Sequence, residues 1–188
     1  MRKSQLYSGF LGPLVAFVGI WTAAYINRSW WRITENAISD LGRVGLPNNW
    51  VLNISLITTA VLIIYYAIGL FALLRNGVEK AGVVIFVLGL VFLALIGLFP
   101  EGTSPHYYVS WAFFITAGFG FLIAGVGALS SGKRAFGWFS AVLFVTGWVL
   151  AIWAKGHFRG VAVAELIGAV TITIWHYTLL LRVAKNIQ

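Results

Sequence analysis

The residues able to do chemistry are few: 5 acidic residues, 3 histidines and no cysteine in a chain of 188. Most of them fall in three polar stretches between long apolar runs. Residues 27–48 (NRSWWRITENAISDLGRVGLPN) carry Asn36, Ser39 and Asp40, and residues 99–106 (FPEGTSPH) carry Glu101 and His106. Residues 155–160 (KGHFRG) carry His157, and Glu165 follows about one turn inside the next apolar run. At roughly 1.5 Å of rise per residue, Glu165 sits about 6 Å into a membrane-length segment, where an unpaired carboxylate is costly. It is therefore either a functional acid or one half of an ion pair with Lys155, Arg159 or an arginine of the first stretch. Asp40, Glu165, His106 and Ser39 are the candidates for acid–base or nucleophilic work. Asn36, Asp40, Glu101, His106, His157 and Glu165 are the candidates for contacting a ligand. The plain alternative is that Ser39 and Asp40 tie down a surface loop.

Nucleophilic catalysis needs a hydroxyl beside a base, and Ser39, Thr103, Ser104 and Ser110 all lie near His106 and Asp40. That pattern is permissive only. No GxSxG, HExxH, P-loop or dinucleotide fingerprint occurs. A zinc site can be drawn from His106, His157 and one of Asp40, Glu101 or Glu165, but no ligand spacing supports it, so no cofactor and no resident metal is expected. His176 continues the Glu165, Ala169, Ile172 stripe about 16 Å further along the same helix, too far for contact. It reads as a buried, hydrogen-bonded histidine, or as an inner relay if it acts.

These residues sit in a chain that is 60% hydrophobic and only 10% charged, with a mean hydropathy of +0.90. That composition excludes an ordinary soluble globule. A hydrocarbon core about 30 Å thick takes roughly 20 apolar residues per helix, and the chain divides into six such runs. The expected spans are residues 6–26, 50–74, 81–98, 106–129, 136–154 and 161–184, a single all-α domain over 1–188. The net charge of +8 does not point to nucleic acid, because the Lys and Arg sit singly or in pairs at helix ends. The N-terminal run reads as a retained first helix and not as a removed signal peptide.

Packing signals lie along the runs. Ser8, Gly12 and Ala16 are four apart in the first, Gly82, Gly89 and Gly97 punctuate the third, and Gly120, Ala124 and Ala128 form a stripe in the fourth. Pro13 is expected to kink the first helix. In the first polar stretch Thr34 suits an N-cap and Gly42 a stop, so residues 35–41 are expected to make two helical turns presenting Asn36 and Asp40 on one face. Trp30 and Trp31 are expected at headgroup level. With the N-terminus inside, the cytoplasmic side holds Arg2, Lys3, Arg75, Lys80, Lys133, Arg134, Arg182 and Lys185. The other side holds Arg28, Arg32, Arg43, Lys155 and Arg159. The excess favours a multi-pass cell-membrane protein with both termini cytoplasmic and a polar extracytoplasmic cap.

The segment Asn36-Ala37-Ile38-Ser39-Asp40-Leu41-Gly42, then Gly97-Leu98-Phe99-Pro100-Glu101 ahead of His106, resembles the domain of unknown function 998 family of small polytopic membrane proteins of archaea and bacteria. The resemblance covers nearly the whole chain in order and spacing. It implies a six-helix bundle and no established activity, so it marks Asn36, Ser39, Asp40, Glu101 and His106 only as residues of the family's pattern. Glu165 and His157 do not match that pattern.

Three functional readings follow. In the first, an outward-facing carboxylate and histidine site binds or acts on a lipid headgroup or small amphipathic molecule, with membrane lipids as partners. In the second, the chain is a non-catalytic accessory or structural subunit whose first loop docks on partner membrane subunits. The third, a small transporter, needs polar residues through the full membrane thickness, and the second, third and fifth runs offer mostly Leu, Ile, Val and Phe.

Overall fold

The structure, a computed structural model, describes residues 1–185 and contains six helices: α1 (Lys3–Ile26), α2 (Asn49–Leu73), α3 (Gly77–Leu98), α4 (His106–Ser130), α5 (Arg134–His157) and α6 (Ala162–Lys185). Each is long and apolar enough to cross a membrane, and no strand occurs among the described residues. Even the shortest, α3 with 22 residues, rises about 33 Å. Consecutive helices pack side by side, and α6 also touches α1.

Helix ends follow local chemistry. The third helix starts at Gly77, ahead of the expected residue 81, because the Asn76 side chain accepts the Val78 and Glu79 N–H groups at 2.8 and 3.0 Å. The Glu79 carboxylate so placed is buried and takes Lys133 Nζ at 2.8 and 2.9 Å. Asn76 Nδ2 also donates to Ser130 Oγ at 3.1 Å. The α2–α3 and α4–α5 turns are thereby tied together at the end of the bundle where α1 begins and α6 ends.

The tightest pair is α3 with α4, and glycine makes it so. A Cβ on Gly82 or Gly89 would strike the backbone of Ala124 or Ala117, and one on Gly120 or Gly127 would strike that of Phe86 or Glu79. The two residue numbers of each facing pair add to the same total, as an unbroken antiparallel register requires. Bare backbone on both helices lets the axes approach, and dispersion contacts replace the hydrophobic driving force that lipid does not supply.

Pro13 does not break α1. A proline at position 13 leaves the carbonyl of Gly9 without its helical donor, and α6 supplies one: His176 Nε2 donates to Gly9 O at 2.8 Å. Tyr177 Oη donates to Phe10 O at 2.8 Å, and Thr59 Oγ1 to Gly12 O at 3.0 Å. Three side chains thus serve the carbonyls around the proline.

Candidate functional site

The opposite end of the bundle carries the α1–α2, α3–α4 and α5–α6 connections. Residues 35–41 do not form the expected two helical turns; the only helix there is a single 3-10 turn at Ser39–Gly42. The backbone that such a helix would use internally is committed elsewhere. Gly160 N donates to Thr34 O at 3.0 Å, and Ala162 N donates to Asn36 O at 2.9 Å. A Cβ on Gly160 would collide with the backbone of Asn36 and Glu35, so glycine is what lets the α5–α6 connection lie against this segment. The Asn36 side chain turns back to accept Arg32 N at 2.8 Å.

Two carboxylates hold the next two peptide groups. Asp40 Oδ2 accepts Ala37 N at 2.8 Å, and Glu165 Oε2, from α6, accepts Ile38 N at 2.6 Å. Trp31 Nε1 donates to Ala37 O at 2.8 Å and the residue is only 7% exposed, so Trp31 anchors the loop against the bundle. Trp30 is 37% exposed. Among the described residues neither Asp40 nor Glu165 forms a salt bridge. The ion-pair alternative for Glu165 is replaced by a hydrogen bond from a backbone N–H.

The α3–α4 connection builds a second cluster. Val44 N donates to Glu101 O at 2.9 Å, which joins this connection to the first loop. His106, the first residue of α4 and buried, has Nδ1 at 2.9 Å from Phe99 O. A carbonyl oxygen only accepts, so Nδ1 carries a proton and Nε2 is the variable nitrogen. Nε2 faces Ser110 Oγ at 3.2 Å and Glu101 Oε2 at 3.1 Å. Ser110 lies four residues on, one helical turn, so both side chains share a face of α4.

Beside these clusters a cavity of about 420 Å³ opens between α4, α5 and α6, within the range of roughly 300–1,000 Å³ usual for small-molecule sites. Its deep wall is mostly apolar, lined by Phe121, Phe144 and Trp148 with Thr171 among them; its ionisable residues Glu101, His106, Lys155 and Glu165, with Ser110, lie toward the loop end. Tyr107 and Ile152 on its rim are each 65% exposed, so it opens on the bundle surface. A smaller, almost wholly apolar void of about 100 Å³ reaches inward to His176. Ser39, Ser110, Phe114, Glu165 and Ile172 line both.

The expected site residues therefore divide. Ser39, Glu101, His106 and Glu165 meet at the cavity, while Asn36 and Asp40 are spent on loop backbone and line neither space. His157 stacks on Trp153 with centroids 4.9 Å apart, exposed and away from both spaces. Among the described residues no three His, Cys, Asp or Glu side chains gather closely enough to hold a metal ion. Ser110, one of the four hydroxyls that the sequence offers near His106, lines the cavity, as does Lys155, which the sequence offers as an ion-pair partner of Glu165.

Six helices of membrane-spanning length and composition define a multi-pass membrane protein. The family model described as "Protein of unknown function (DUF998)" matches residues 10–182, and the chain belongs to that family. No curated protein and no solved structure matches it.

Proposed function

We propose that this protein binds a lipid or lipid-like amphipathic molecule, with the apolar part between α4, α5 and α6 and the headgroup at the loop end. One observation carries the reading: a largely apolar cavity opens on the bundle surface and has its ionisable side chains at a single end. A ligand dissolved in the bilayer enters such a space without crossing water. The excess of Lys and Arg at the opposite end favours a headgroup site facing away from the cytoplasm.

Native mass spectrometry of gently solubilised protein tests this. Ala151 lines the cavity, and Ala151→Trp fills it. An amphiphile bound to the wild-type chain and absent from Ala151→Trp is the expected result. Wild type without a bound amphiphile, or equal retention in the filled variant, overturns the reading.

A second reading, an accessory subunit, has its own support. Asn36 and Asp40 are consumed in shaping the first loop, as they would be in a docking surface of fixed form.

A further inference from the structure

We propose that Ser110 and His106 form an acyl-transfer pair, and that the molecule in the cavity is a long-chain ester of a glycerolipid-like amphiphile. The inference rests on the binding reading above and adds a reaction to it.

Three observations point to Ser110. The first is orientation: buried or membrane-facing hydroxyls in these helices commonly bond the carbonyl one turn back, as Ser55, Thr116, Ser140 and Thr178 do at 2.5–2.9 Å. Ser110 instead has His106 Nε2 as its partner. The second is the base: Phe99 O fixes the proton of His106 on Nδ1, which is the tautomer that leaves Nε2 to accept the serine proton. The third is access, because Ser110 lines the cavity as well as the inner void.

The order of groups along the cavity matches an ester lipid. Phe121 and Phe144 lie about 20 Å from the loop end by helical rise, where a hydrocarbon chain would end. Ser110 and Glu165 sit about one turn inside their helices, at the depth of an ester carbonyl. Lys155, in the last turn of α5, has its Nζ 5.3 Å from the Trp111 ring centroid. It is the one Lys or Arg among the described residues lining the cavity, and it stands at the rim, where a lipid phosphate or developing oxyanion would meet it.

The step balances with water as co-reactant. Ser110 Oγ–H gives its proton to His106 Nε2 as Oγ bonds to the ester carbonyl carbon. The tetrahedral adduct expels the lipid alcohol, which takes the proton from Nε2. Water from the loop end then attacks the acyl-serine, Nε2 removes its proton, and the carboxylic acid leaves as Ser110 regains its own. In the structure Glu101 Oε2 also lies 3.1 Å from Nε2. The reactive state is the one in which His106 is neutral and the Glu101 side chain, 41% exposed, has turned outward.

The test treats detergent-solubilised full-length protein with a long-alkyl fluorophosphonate, which phosphonylates an activated serine with loss of fluoride, and maps the adduct by mass spectrometry. One adduct at Ser110 is expected, absent in Ser110→Ala, formed about 100-fold or more slowly in His106→Asn, and formed faster in Glu101→Ala, which removes the group competing for Nε2. Absence of a Ser110 adduct in wild type overturns the proposal, as does a rate unchanged in His106→Asn. If His106→Asn does not fold, the wild-type adduct and the Glu101→Ala rate decide, since a merely structural cluster gives no adduct in either. An amphiphile that co-purifies with wild type and is lost in Ala151→Trp, without a Ser110 adduct, rejects the reaction and leaves the binding reading standing.

Discussion

The carboxylate of Glu165 accepts the backbone N–H of Ile38 at 2.6 Å, joining positions 127 residues apart in sequence. The acid on α6 therefore sets the course of the first loop, and it does so beside the cavity that it also lines. Leaving a buried N–H without such a partner costs about 1–3 kcal/mol.

From this bond comes the first prediction. Glu165→Ala removes the acceptor and should lower stability in detergent by about 1–3 kcal/mol, read as a fall in the thermal midpoint. Glu165→Gln keeps an acceptor oxygen and should lose less than half as much. Equal losses in the two variants would mean that the charge, and not the acceptor, is what matters.

Asp40 should behave differently from the cavity residues. It accepts Ala37 N and lines neither space. Asp40→Asn preserves an acceptor and is expected to leave any co-purified amphiphile in place, whereas Asp40→Ala should cost about 1 kcal/mol. Loss of the bound species in Asp40→Asn at unchanged thermal midpoint would put Asp40 back among the ligand contacts.

Two glycines one helix apart give a third contrast. A Cβ on Gly89 would lie 2.7 Å from Ala117 N, a backbone atom that cannot step aside. A Cβ on Gly118 would meet only side-chain atoms, Trp148 Nε1 at 3.4 Å and Phe144 Cε2 at 3.5 Å. Gly89→Ala should therefore destabilise by about 1–3 kcal/mol. Gly118→Ala should be neutral within about 0.5 kcal/mol. Thermal melts of the two variants side by side check the pair.

The fold was readable because its causes are local and repeated. Six apolar runs, charged turns and glycines at Gly82, Gly89 and Gly120 all act through composition and spacing, and a bilayer leaves helices as the natural answer. The site was half readable. His106 and Ser110 share a face at helical spacing, and Glu165 stood out by its depth. What stayed hidden were partnerships of distant backbone groups: Ile38 N–H with the Glu165 side chain, and the Thr34 and Asn36 carbonyls with the N–H groups of Gly160 and Ala162. The same bonds undid the expected 35–41 helix, whose caps were sound by local rules but whose backbone was claimed by the α5–α6 connection. Backbone groups carry no residue identity, so no pattern of side chains announces them.

The last prediction concerns Pro13 and His176, which meet through one carbonyl. Because proline has no N–H, Gly9 O depends on His176 Nε2. His176→Leu should then leave that buried carbonyl without a donor and cost about 1–3 kcal/mol. Pro13→Ala restores the helical N–H to Gly9 O, so the same His176→Leu change made in that background should cost about 1 kcal/mol less. A double-mutant cycle on thermal or denaturant stability reads this coupling. Additive losses would show that His176 stabilises the bundle through its packing on Tyr66, whose ring centroid lies 5.1 Å away, and not through the carbonyl that the proline leaves open.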